Sequence, residues 1–213
     1  MTLRYRLVIW DFDGTLADTL RLALAVYNRL AEKHGFRPVT DPMSVREMNL
    51  SEFLTQYSVP AWRVPLAFAS FLAEVKSSSA KIRLNQHVAE AVRVTAELGV
   101  QHAVVSSNDT NVIERCLSAN DLREQFTYVR GTSRIFGKER RIRDACRCCQ
   151  TEFGDALYVG DEVRDVAAAR AAGVHIASAT WGLNSEVALR AEAPDFILDN
   201  PLQLAEVLRA SEC

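Results

Sequence analysis

Two rhythms of apolar residues alternate along the chain. One consists of short unbroken runs that stop at Gly, Asp or Ser: Leu7–Trp10, Ala103–Val105, Ala156–Val159, His175–Ala177 and Phe196–Leu198. Brief runs of this kind, rich in β-branched residues and not alternating with polar ones, predict strands covered on both faces. The other rhythm has helical spacing. Val88, Ala91, Val92, Thr95 and Leu98 form one stripe before Gly99, Val112, Cys116 and Leu117 a second, and Val166, Ala169 and Ala172 a third before Gly173. Strands alternating with helices of this length predict βαβ units, and so an α/β fold around a parallel sheet.

One interval breaks the alternation. From Asp18 to about Ala80 no strand-like run occurs. Leu20, Leu24, Tyr27 and Ala31 recur on one helical face; Val45, Met48 and Phe53 suggest a second helix, and Leu66, Ala69, Leu72 and Ala73 a third. Pro38, Pro42 and Pro60 punctuate the gaps, and Ser77–Ser79 reads as a loop returning to the sheet. The pattern predicts a small helical lobe over residues 18–80, inserted into a core made of residues 1–17 and 81–213.

Composition narrows the function classes. The 213 residues carry a formal net charge of −2, which gives no electrostatic case for a nucleic-acid partner. The basic run at Lys138, Arg140, Arg141 and Arg143 is interrupted by Glu139 and Asp144 and reads mostly as a solvated helix face. No stretch reaches the roughly 18 apolar residues of a membrane span, and Leu7–Trp10 leads into acidic residues rather than a signal-peptide cleavage site. The expectation is a cytoplasmic, reducing location. The five cysteines fit it: Cys146, Cys148 and Cys149 crowd one predicted helix without zinc-site spacing, and read as idle thiols. The four histidines are scattered with no ligand spacing. Trp62, Phe68 and Phe71 read as lobe packing ahead of the alternative that they line the mouth of the site, and Trp181-Gly182 falls at the sheet edge that would carry the chemistry.

The segment Trp10-Asp11-Phe12-Asp13-Gly14-Thr15-Leu16 carries the sharpest chemical signal. In a parallel α/β sheet, ligands sit beyond the carboxyl ends of the strands, where Asp11 falls. A two-residue step returns Asp13 to the same side in extended chain. Two carboxylates so placed repel unless a cation or proton intervenes, and Mg²⁺ suits two carboxylates plus a substrate phosphate. A plain Asp-Gly turn is the alternative. A second strand ends in Ser106 and Ser107, where a hydroxyl and backbone N–H groups would make a phosphate cradle. A third ends at Gly160-Asp161, with Asp165 one helical turn further on. One sheet edge would thus gather Asp11, Asp13, Asp161 and Asp165, with Lys138 as a cation to offset them.

These motifs resemble those of the haloacid dehalogenase-like hydrolases, and within them the phosphoglycolate phosphatase-like group. Asp-Phe-Asp-Gly-Thr-Leu-Ala-Asp-Thr at 11–19 matches the family's first motif, Val104-Val105-Ser106 the second, Lys138 the third, and Gly160-Asp161 with Asp165 the fourth. The likeness runs from Leu7 to about Leu208. It implies a Rossmann-like core with a C1-type helical cap, and a magnesium-dependent phosphatase acting on a small phosphorylated metabolite. Asp11 would be the nucleophile and would form an aspartyl-phosphate; Asp13 would act as general acid and then base. Mg²⁺ would bind the Asp11 carboxylate, the Asp13 backbone carbonyl and Asp161, with Asp165 supporting the ion's ligands. Ser106 and Ser107 with Lys138 would hold the phosphoryl oxygens. Departures are few: Ser107 stands where relatives commonly have Asn, and Gln86-His87 and Glu139 replace a frequent Pro-Gly and Pro. A phosphomutase on the same scaffold, or a phospho-accepting signalling module, are the rival readings.

Overall fold

The structure, a computed structural model, describes residues 3–48, 50–78, 82–132 and 137–209. Six strands, β1 (Leu7–Trp10), β2 (Gln101–Ser106), β3 (Phe126–Gly131), β4 (Ala156–Gly160), β5 (His175–Ala179) and β6 (Phe196–Leu198), form one sheet in the order β3-β2-β1-β4-β5-β6. Every pairing is parallel. All four β1 residues are fully buried, because alternate side chains serve opposite faces. Val8 and Trp10 join one apolar cluster with residues of α4 (Val88–Glu97), α5 (Thr110–Ala119) and α9 (Leu204–Val207). Leu7 and Ile9 join the other, with α6 (Lys138–Cys148) and α7 (Val163–Ala172). That double coverage is why the strands read as continuous apolar runs. Cys146 and Cys149 are buried in the second cluster, whereas Cys148 is exposed.

β3 is a strand the sequence pattern does not announce. It sits at the sheet edge, and only Phe126 among its residues is buried. An edge strand half open to solvent loses the unbroken apolar run that marks its neighbours.

Between β1 and α4 lie α1 (Leu20–His34), a 3-10 turn at Ser44–Glu47, α2 (Leu50–Gln56), a 3-10 turn at Ala61–Arg63 and α3 (Val64–Ser78). The helix expected through Val45, Met48 and Phe53 is therefore two elements. α3 also continues through Ser77 and Ser78, where a loop was expected; Ser79 and the expected boundary at 80–81 lie outside the described residues. α1 stops at Gly35, whose positive φ of 74° lets its N–H close back on the Ala31 carbonyl. The lobe has its own small core of Val39, Val45, Tyr57 and Val59. Tyr27, Phe53 and Tyr57 stack beside it with ring centroids 4.8–6.0 Å apart. Trp62 does not pack inside: it is 69% exposed, with the Arg63 guanidinium 4.1 Å from its ring. The chain leaves and re-enters the core side by side, through a bridge between Ala17 and Leu84 and a 2.9 Å hydrogen bond from Asp18 N to the Arg83 carbonyl. No helix among the described residues is long and apolar enough to cross a membrane.

Candidate active site

The chain runs outward from β1 to β2 and β3, then returns to place β4 on the other side of β1. Strand order reverses between β1 and β4, and a crevice at such a reversal is where open α/β sheets bind ligands. Trp10 is in register with Val104 and Val159, so Asp11, Ser106 and Asp161 emerge together at the carboxyl ends of three adjacent strands. Asp11, Ser106, Ser107, Lys138, Asp161 and Asp165 are all buried there.

Lys138 is the first residue of α6, following Gly137, whose φ of 80° turns the chain inward. Its ammonium donates to Asp11 Oδ2 and to Asp165 Oδ1, each at 2.6 Å. It is thus a buried ion-pair centre, separate from the exposed face that follows it on the helix. Burial opposes its charge, yet Asp11 and Asp165 hold its pKa well above the ordinary lysine value. Asp165 also accepts from Glu162 N at 3.1 Å as part of the capping box that starts α7. One side chain therefore fixes the helix start and the lysine together.

Asp161 is held from two directions. Thr15 Oγ1 donates to its Oδ1 at 2.5 Å and Leu183 N to its Oδ2 at 2.7 Å. Gly14, at φ 79°, and Gly182 both lie so close that a Cβ on either would overlap the Asp161 carboxylate. Glycine is required by that approach. Trp181, adjacent to Gly182, donates its indole N–H to the Thr15 carbonyl at 3.0 Å.

Asp11, Asp161 and Asp165 each offer a carboxylate oxygen within 4.8 Å of the others. The carboxylate of Asp13 is not in that group. It is bound instead by Asn108, whose amide nitrogen donates to both of its oxygens at 3.1 and 3.0 Å. Three of the four expected carboxylates therefore meet around one point, and the fourth is held apart from them by Asn108. Burial lifts the Asp13 carboxyl to about 7, the charge of Asp11 adds to the rise, and hydrogen bonds from Asn108 and Thr19 oppose it. Burial also pushes Asp161 well up, with Glu162, Asp11 and Asp165 adding, and Asp165 to about 6 against the pull of Lys138. Buried carboxylates raised in this way are short of positive charge. An all-oxygen donor set around one ammonium fits a hard divalent cation.

Ser106 ends β2 with its hydroxyl accepting from Asn108 N at 3.1 Å. Asn108, two residues before α5 begins, is fully buried. Asp109 is the actual N-cap of α5, its side chain accepting from Asn111 N. His102 is buried away from the site and satisfied by Trp10 and Thr95.

A family model described as haloacid dehalogenase-like hydrolase matches residues 8–179. The phosphoglycolate phosphatase of Synechococcus elongatus is 28% identical over 203 residues, covering 94% of this chain and 96% of its own. That of Haemophilus influenzae is 25% identical, covering 98% and 100%. Among solved structures, a haloacid dehalogenase-like family hydrolase from Streptococcus pneumoniae superposes with a TM-score of 0.78 at 20% identity, over 97% of this chain and 99% of that one. The matched span contains the sheet edge with Asp11, Ser106, Lys138, Asp161 and Asp165, and the chain belongs to the haloacid dehalogenase-like hydrolases.

Proposed function

We propose that the protein hydrolyses a small phosphorylated metabolite with Mg²⁺, through an aspartyl-phosphate on Asp11. The observation that carries this reading is the meeting of Asp11, Asp161, Asp165 and Lys138 at one rim of the sheet. The helical lobe between β1 and α4 would serve as the cap of that site. The described cysteines are free thiols, in keeping with a reducing, cytoplasmic setting.

Ser106, the backbone at Ser107, and Lys138 hold the phosphoryl oxygens. An oxygen of Asp11 attacks phosphorus while the bond to the leaving oxygen breaks. Asp13, whose carboxyl is raised to about 7, is protonated in about half of the molecules at neutral pH, and that form gives its proton to the leaving oxygen. Now a carboxylate, Asp13 takes a proton from water as the water oxygen attacks the phosphorus. The bond to Asp11 breaks, inorganic phosphate leaves, and Asp13 is protonated again. Mg²⁺ bound by the Asp11 and Asp161 carboxylates and the Asp13 carbonyl, with Asp165 bracing them, would neutralise charge on the transferring group. Phosphoglycolate is the first substrate to try, since two of the relatives carry that name; sugar and nucleotide phosphates follow.

A panel of these compounds with Mg²⁺, scored for released phosphate, tests the reading. Asp11→Asn is expected to stay folded and lose turnover. Turnover retained in that variant rules Asp11 out as nucleophile. A hexose 1-phosphate converted to its isomer without free phosphate would mark a mutase instead.

A further inference from the structure

Arg46 lies in the cap, in the 3-10 turn Ser44–Glu47, yet four hydrogen bonds join it to the loop 180–185 of the core. Its guanidinium donates to the Thr180 carbonyl and, at 3.4 Å, to the Leu183 carbonyl. Its own carbonyl accepts from Ser185 N at 2.7 Å and from Asn184 Nδ2 at 3.3 Å. The same loop grips Asp161 and the helix behind it. Leu183 N donates to Asp161 Oδ2 at 2.7 Å, Asn184 N to the Asp161 carbonyl at 3.2 Å, and Asn184 Oδ1 accepts from Val163 N at 3.0 Å. Leu183 therefore has Arg46 on its carbonyl and Asp161 on its N–H. One residue separates the cap from an ion-binding carboxylate.

The chemistry of arginine suits this place. Its planar fork can serve two carbonyls at once in a fixed geometry, whereas a lysine ammonium is a mobile point charge. Gly182 leaves the loop no slack, because its backbone lies in contact with the Asp161 carboxylate. A small movement of the loop must therefore displace that side chain.

We propose that Arg46 is a positioning residue that couples the seating of the cap to the alignment of Asp161. The carboxylate is fully oriented for the ion only when Arg46 clamps the loop. The coupling rests on the assignment of Asp161 as an ion ligand made above. Partners that orient a metal ligand from behind are worth about 10- to 100-fold in ion affinity.

The test compares wild type, Arg46→Ala and Arg46→Lys in two measurements that need no turnover. Amide hydrogen exchange without metal reads the Leu183 and Ser185 N–H groups against those of β4, and electron paramagnetic resonance reads the affinity for Mn²⁺. In Arg46→Ala the two loop amides are expected to exchange faster while β4 keeps its protection, and the Mn²⁺ dissociation constant to rise about 10-fold. Arg46→Lys, which keeps the charge and the stem, is expected to stay nearer the alanine variant than wild type. Unchanged loop protection or unchanged Mn²⁺ affinity in the variants overturns the coupling, as does full rescue by lysine. If alanine also loosens β4, the lysine variant decides by the same two readings. Wild type that binds Mn²⁺ but hydrolyses no phosphate ester would overturn the proposed function and leave the coupling standing. An active wild type with insensitive variants would do the reverse.

Discussion

The Asn108 amide nitrogen sits 3.1 and 3.0 Å from the two oxygens of Asp13, astride the carboxylate. Its orientation is fixed from the other end, where Oδ1 accepts from Asp109 N at 2.7 Å. The amide therefore holds Asp13, which stands outside the group of three carboxylates formed by Asp11, Asp161 and Asp165.

Asn108→Ala should lower kcat by about 10- to 100-fold with little change in KM, because a positioned acid-base group is worth about that much or more. Asn108→Asp should do worse, since a second carboxylate would repel Asp13 in place of holding it. Steady-state kinetics on the best substrate of the phosphate panel check both. Equal losses in kcat and KM for alanine would count against the assignment.

Lys138→Met removes the only cation that hydrogen-bonds both Asp11 and Asp165 among the described contacts. Breaking a buried pair from one side costs about 3–5 kcal/mol, so thermal unfolding without divalent ions should shift clearly downward. Saturating Mg²⁺ should then raise the melting temperature of the variant more than that of wild type, because the site has lost a competing positive charge. Scanning calorimetry with and without Mg²⁺ reads both effects.

His102 should make the fold acid-sensitive. Trp10 Nε1 donates to its Nδ1 at 3.0 Å, so Nε2 carries the proton and donates to Thr95 Oγ1 at 3.1 Å, which in turn donates to the Ala91 carbonyl at 2.6 Å. A second ring proton would face the indole N–H, and burial holds the pKa down at about 4. The unfolded chain protonates its histidine near 6.5. Between these values the unfolded state binds more protons, so stability falls as pH drops from about 6.5 to about 4, by up to ~3 kcal/mol from this residue. Denaturant titrations across that range should show the slope, and His102→Gln should reduce it.

Much of this site was readable because its chemistry is local. Asp11, Ser106 and Asp161 each follow an apolar run, and a run that ends marks a strand end. What escaped depends on side chains meeting across long separations. Asn108 looks like helix-start chemistry until folding brings it to Asp13, 95 positions away. The grip of Leu183 on Asp161 is a backbone N–H, which no residue type announces. Lys138 is legible as the cation that offsets these carboxylates, and the structure pairs it with Asp11 and Asp165; only its burial, at the head of a basic run, is not. β3 and the break between the two cap elements were missed for a related reason: weakly buried segments leave weak periodicity.

The side-by-side passage of the chain at Ala17 and Leu84 has an evolutionary reach. A segment whose two ends enter and leave at one doorway is a cassette. It can be lengthened, shortened or exchanged without altering the register of the sheet or the spacing of the groups at its edge. Under the cap role proposed above, selection could retarget the enzyme to a new ester by rewriting that helical lobe alone, provided the replacement still offers the core a fork like that of Arg46.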